Sequence, residues 1–198
     1  MTPEDVPAYV AEVRALAEKY RGQITVRCGV EMDALSPGMG VEFDYVIGST
    51  HVIMAPDGAY CAVDASAECT RDNVEKHFGG DALAYAEAYY AAEARVAELT
   101  RCDIIGHFDL VVKYNEGLPL IDESHPRYRA AWQAAADRLL EAGVPFEINT
   151  GAISRGCRSV PYPAPEIREY LAERGARFIL SSDSHRRETL CFGFEEWK

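Results

Sequence analysis

The sequence predicts an α/β fold built on a mainly parallel sheet, open or closed into a barrel. Two observations predict it. Helical and extended patterns alternate along the 198 residues, with no hairpin repeat. In addition, five apolar runs each end in a short stretch bearing an acid or a histidine, and in such folds the strand C-termini deliver side chains to one rim.

The elements follow in order. Residues from Thr2 to about Tyr20 read as a helix, with Thr2 as cap, Pro3 in the first turn and Asp5 complementing the dipole. Val6, Val10, Val13 and Leu16 recur at helical spacing, and Gly22 ends the segment. Ile24 to Val30 reads as a strand feeding Glu31, and Tyr45 to Ser49 as the strand before His51. Ala59 to Val63 reads as an added extended piece. Asp81 caps an Ala-rich helix predicted to run to about Thr100. Asp103 to Gly106 is a short strand before His107, and Pro126 to Ala142 a helix closed by Gly143. Pro145 to Ile148 is a strand leading to Asn149. Pro165 to Arg174 is a helix closed by Gly175, and Arg177 to Leu180 a strand leading to Asp183 and His185.

The chain reads as one domain over residues 1–198, since it contains no linker, low-complexity segment or repeat. A hydrophobic content of 48% and a charged content of 26% fit a soluble globular protein. There is no apolar stretch of the roughly 20 residues a membrane span needs, and no signal-peptide pattern at the start. The formal charge of −12 disfavours nucleic acid and anionic membranes as partners. It leaves room for a small phosphorylated molecule held through metal cations. Cys28, Cys61, Cys69, Cys102, Cys157 and Cys191 form no CxxC pair, so they read as reduced structural thiols of a cytoplasmic protein.

The five polar endings are Gly29–Asp33, Ile47–His51, Ile105–Asp109, Phe146–Thr150 and Ser182–His185. They place Glu31, His51, His107, Asp183 and His185 at one topological level. Glu, Asp and His together suit a divalent-metal site that activates water. Singly, each is an ordinary structural residue; the recurrence is what points to a site. Alternation along an extended segment puts Asp183 and His185 on one side. His77 reads as a loop residue before a helix, and His125 as a turn residue before Pro126.

Several stretches resemble the PHP (polymerase and histidinol phosphatase) superfamily. They are Gly29-Val30-Glu31, Asp44 to His51, Ile105-Gly106-His107-Phe108-Asp109-Leu110, Glu147 to Gly151, Pro161 to Ile167 and Ser182-Asp183-Ser184-His185. The Glu-Ile-Asn-Thr and Pro-Tyr-Pro stretches favour its histidinol-phosphatase branch. The resemblance implies a distorted (β/α)7 barrel with up to three metal ions at the strand C-termini. It implies that Glu31 bridges two metals, that His51 and His107 complete one of these sites, that Asp183 serves the other, and that His185 serves the third. Arg155 and Arg158, in a loop after a strand end, either grip the phosphate with parallel hydrogen bonds or form a solvated basic loop. Glu147 and Asn149 either orient ligands or contact the substrate, and Glu147 alternatively forms a strand-end salt bridge.

The chain departs from the superfamily pattern at its start and at its end. It contains no His-x-His, and no histidine precedes His51. The expectation is therefore an incomplete barrel, lacking its first strand and its final helix and strand, with fewer metals than three. Three explanations compete: a strand encoded upstream, a true truncation, or ligands supplied by another chain. The retained ligand set and Pro-Tyr-Pro loop favour the first. Two exposed sheet edges would promote a homo-oligomer.

The function expected is metal-dependent hydrolysis of a phosphomonoester, L-histidinol phosphate in histidine biosynthesis. The expected catalytic residues are Glu31, His107 and Asp183. Zn, Mn and Fe all suit the mixed donors. The alternatives are another substrate, such as phosphotyrosyl protein, and a non-catalytic remnant that binds metal or a partner.

Overall fold

A computed structural model describes residues 2–36 and 38–197. Five strands form one parallel sheet: β1 (Gly29–Asp33), β2 (Tyr45–Ser49), β5 (Ile104–Ile105), β6 (Phe146–Asn149) and β7 (Phe178–Ser181), in that spatial order. Strands β3 (Val52–Met54) and β4 (Tyr60–Ala62) form a separate antiparallel hairpin. Among the described residues β1 pairs only with β2, and β7 only with β6, so the main sheet is open at both edges.

Helix α1 (Val6–Lys19) starts later than Thr2. The expected capping roles are reversed: the Thr2 amide and hydroxyl both donate to Asp5 Oδ2, at 2.9 and 2.8 Å. Strand β1 is displaced from the expected Ile24–Val30. Its ladder with β2 begins at Gly29 opposite Tyr45. Just before it, Asp44 Oδ2 accepts the Cys28 amide at 2.7 Å, and Ile24 is left 64% exposed. Pairing, which an apolar run cannot supply alone, fixes where the strand starts. Glu31 is therefore inside the strand, and the two-residue period puts Asp33 on its face.

The β3–β4 hairpin overturns the expectation of unbroken alternation. Its turn uses Asp57-Gly58, with Gly58 at φ 86° and Asp57 Oδ1 accepting the Ala59 amide at 3.0 Å. Helix α2 (Ala67–His77) follows, its N-terminus capped by Ser66 Oγ, which accepts from the Cys69 amide. His77 thus ends one helix, rather than lying in a loop, before the next begins at Ala82, and its Nδ1 lies 2.8 Å from Asp57 Oδ2 at the hairpin turn.

Asp81 does cap the Ala-rich helix, with Oδ1 accepting the Leu83 and Ala84 amides at 3.0 Å. The helix does not run unbroken to Thr100. It divides into α3 (Ala82–Glu93) and α4 (Val96–Thr100). The two pieces have different neighbours: α3 packs along α5 (Pro126–Ala142), and α4 against β1 and β2. Helix α5 has the expected bounds; His125 Nδ1 accepts the Arg127 amide at its start, and Gly143 at φ 67° closes it. A short helix α6 (Gly151–Ser154) and α7 (Pro165–Glu173) complete the set.

The core joins the helices to the sheet through aromatic residues. Tyr90 and Tyr128 meet between α3 and α5 with their hydroxyls 2.9 Å apart, and Phe108 packs on both Tyr90 and Phe146. All six cysteines are free thiols, of which Cys191 is exposed. Among the described residues no helix is long and apolar enough to cross a membrane.

Candidate metal centre

Parallel pairing aligns the C-terminal ends of β1, β2 and β5. Close approach there requires glycine. A Cβ on Gly48 would stand 2.7 Å from both Cys102 Sγ and Thr100 Oγ1, and one on Gly106 would strike Ser49 Oγ. With these positions bare, Glu31, His51 and His107 converge, one ligand atom of each lying within 4.8 Å of the others.

Glu31 Oε1 is the shared point. It accepts the Ser49 hydroxyl at 2.7 Å and lies 3.0 Å from His107 Nε2 and 3.4 Å from His51 Nε2. His51 is held from behind by Asp33, whose Oδ2 accepts its amide at 2.6 Å and lies 3.5 Å from Nδ1. The His51 and His107 rings stand edge to face, with centroids 5.0 Å apart. Burial opposes charge on Glu31, yet the hydrogen bond from His107 and the two imidazoles hold its carboxyl well below the usual range. Burial likewise opposes charge on His107, but Glu31, Glu147 and Asp183 push its pKa up. The cluster therefore attracts positive charge. A carboxylate and two imidazole Nε2 atoms facing one point are a donor set that fits a divalent transition metal.

His107 is 5% exposed and is built into a buried scaffold. Its amide donates to Glu147 Oε2 at 3.0 Å, and Asn149 Nδ2 donates to the same oxygen at 2.9 Å. Asn149 exchanges backbone hydrogen bonds with Tyr162, whose ring stands edge-on to His107 at 6.0 Å. Glu147 and Asn149 thus hold the His107 backbone in place, and burial raises the Glu147 carboxyl pKa.

Asp183 and His185 face each other, with Nε2 3.4 Å from Oδ1, but they lie outside the three-ligand group. Arg155 clamps Asp183, Nη1 donating to its carbonyl at 2.9 Å and Nη2 to Oδ2 at 2.8 Å. Ser154, Arg155, His185, Arg186 and Thr189 line a cleft of about 380 Å³. Arg158 is elsewhere in character. Its Nη1 donates to Asp109 Oδ2 at 3.0 Å in a pair with side chains 4% and 0% exposed, and its guanidinium stacks 4.6 Å from the Tyr162 ring centroid. The structure thus assigns the two arginines different surroundings, although they lie in one loop.

Sequence reasoning missed Ser49 and Asp33. Ser49 and Asp33 stood inside quoted motifs, and the strand period would have paired Asp33 with Glu31. Glu93 carries no sequence signal. It is 1% exposed on α3, and burial pushes its carboxyl up to about 8.

No family model matches the chain. A Deinococcus radiodurans protein named as a probable histidinol-phosphatase is 32% identical over 99% of this chain and 71% of its own length. The chain belongs to the histidinol-phosphatase family of PHP type. A Schizosaccharomyces pombe protein of the same name is 28% identical over 93% of the chain and 63% of its own length. The Bacillus subtilis histidinol-phosphatase is 22% identical over 98% and 76%. In fold, the chain matches a crystal structure from Listeria monocytogenes described as a histidinol phosphatase, hisK. The TM-score is 0.84 at 20% identity, over 100% of this chain and 78% of that one. The chain thus spans roughly two thirds to three quarters of these relatives' lengths, and its open five-stranded parallel sheet is consistent with the PHP-type (β/α) barrel fold.

Proposed function

We propose that this chain carries the metal-dependent phosphatase site that hydrolyses L-histidinol phosphate to L-histidinol and phosphate. The observation that carries the reading is the convergence of Glu31, His51 and His107 at the strand ends of a chain in the histidinol-phosphatase family. These three residues hold the cation. When bound, it supplies positive charge to the phosphate oxygens and acidifies water. Ser49 and Asp33 fix Glu31 and His51, while Glu147 and Asn149 fix His107. Asp183 and His185 serve further metal positions at the same rim. Arg155, beside the basic cleft, grips the phosphate, a role its planar guanidinium suits. Arg158 supports the site from beneath, through Asp109 and Tyr162.

The reading carries with it one domain, a cytoplasmic setting, Zn, Mn or Fe as metal, and a small phosphorylated substrate without nucleic-acid or membrane partners. Self-association occurs at the open sheet edges. The presence of one three-ligand group among the described residues favours fewer metals than three.

The test is phosphate release by the purified chain with Mn or Zn, on histidinol phosphate beside a phosphotyrosyl peptide and simple phosphoesters. Preference for histidinol phosphate, with a loss of orders of magnitude in kcat/KM for His107→Ala, supports the reading. Unchanged turnover in His107→Ala with metal retained defeats the metal assignment. A metal-loaded chain that releases no phosphate from any ester identifies a binding remnant.

A further inference from the structure

Glu93 is the buried titratable group that this chemistry does not use. A carboxylate 1% exposed ordinarily finds hydrogen-bond donors, because burying it bare costs several kcal/mol or so. Neither oxygen of Glu93 has a hydrogen-bond partner among the described residues. Two other buried polar atoms share this condition beside it: Thr50 Oγ1, one residue before His51, and His107 Nδ1. Thr50 is fully buried and, with His107, favours the Glu93 carboxylate, while Asp33 and Asp109 oppose it. The His107 ring is oriented by its other nitrogen, because Nε2 is the atom facing Glu31. Nδ1 therefore points away from the ligand cluster into the protein, where a metal-binding imidazole ordinarily meets a carboxylate or carbonyl.

We propose that Glu93 is a positioning residue of the metal centre, the buried carboxylate that receives the Nδ1–H of His107 and offsets the charge of the bound cation. The proposal rests on the metal reading above. No direct hydrogen bond joins the two groups, so the coupling uses one bridging water, for which Thr50 Oγ1 supplies a further partner. The placement of Glu93 is costly for the fold and useful for the centre. Ionised, Glu93 places a negative charge near Asp33 and the buried Asp109, which a cation relieves. The break after Glu93, where α3 gives way to α4, leaves the carboxylate at a helix end.

The test compares Glu93→Gln and Glu93→Leu with the wild-type chain. Zn and Mn affinities are measured by chelator competition, and Tm is measured in EDTA and with saturating metal. The expected result is a Tm in EDTA equal to or above wild type, because a buried carboxyl without a hydrogen-bond partner has gone. Metal affinity falls roughly 10–100-fold in the Leu variant and less in the Gln variant, whose amide oxygen still accepts the proton. Wild-type affinity in the Leu variant overturns the proposal. So does a Tm loss in EDTA that parallels any affinity loss, which is the mark of a merely structural residue. Imidazole nitrogen NMR of the loaded wild-type chain needs no variant: an Nδ1–H on His107 is expected, and metal at Nδ1 overturns the proposal. A wild-type chain that binds no metal overturns this proposal and the metal reading together, whereas metal-binding wild type with unaffected variants overturns this one alone.

Discussion

Replacing Arg158 with Met is expected to cost stability rather than phosphate affinity. The guanidinium is the counter-charge of Asp109, which is fully buried and otherwise has one donor to Oδ2, the Ala164 amide at 3.1 Å. Met fills much of the arginine stem's volume but strands the carboxylate. Removing one partner of a buried ion pair costs about 3–5 kcal/mol. In a domain of this size 1 kcal/mol moves Tm by about 2–4 °C, so the expected drop is roughly 6–20 °C. The stacking of Arg158 on Tyr162 at 4.6 Å is lost in the same step and belongs within that range rather than beyond it. Arg155→Met is the control, because its pair with Asp183 has side chains 32% and 20% exposed. Screening by solvent limits that loss to about 1 kcal/mol. Thermal unfolding followed by circular dichroism at pH 7 reads both variants. Asp109→Asn combined with Arg158→Met should recover much of the stability, since no bare charge remains. An Arg158→Met chain that melts like wild type while KM for the phosphoester rises sharply would refute the reasoning and return Arg158 to the substrate.

Two further substitutions probe the metal centre. Ser49→Ala removes the 2.7 Å hydrogen bond that orients Glu31, and metal affinity measured by chelator competition should fall about 10–100-fold with little change in Tm in EDTA. Gly106→Ala drives a methyl group into Ser49 Oγ and to 3.1 Å from the Gly48 carbonyl. Overpacking of this kind costs about 1–3 kcal/mol, so both Tm and metal affinity should drop. Unaltered metal binding in either variant would mean that Glu31 is held by something other than Ser49.

The sequence by itself determined the fold class and marked the acids and histidines that the fold gathers. Glycine, proline and capping residues act locally, so α5 from Pro126 to Ala142 and the Asp81 cap were legible without any tertiary information. So was the placement of His51 and His107 after strand ends, because the end of an apolar run before a polar residue marks a strand end, whereas Glu31 proved to lie inside its strand. The tertiary structure decided what depends on partners distant in sequence. The start of β1 follows from a ladder with Tyr45, the break after Glu93 from two sets of neighbours, and the β3–β4 hairpin from a short turn amid weak strand patterns. It also separated Arg155 from Arg158, which composition and spacing treat alike. One meets Asp183 at the cleft, and the other meets Asp109 in the interior. Patterning reports which face of an element is buried, but charge pairing depends on which side chains the fold brings within a few ångströms. That distance is set only when the strands and helices have packed.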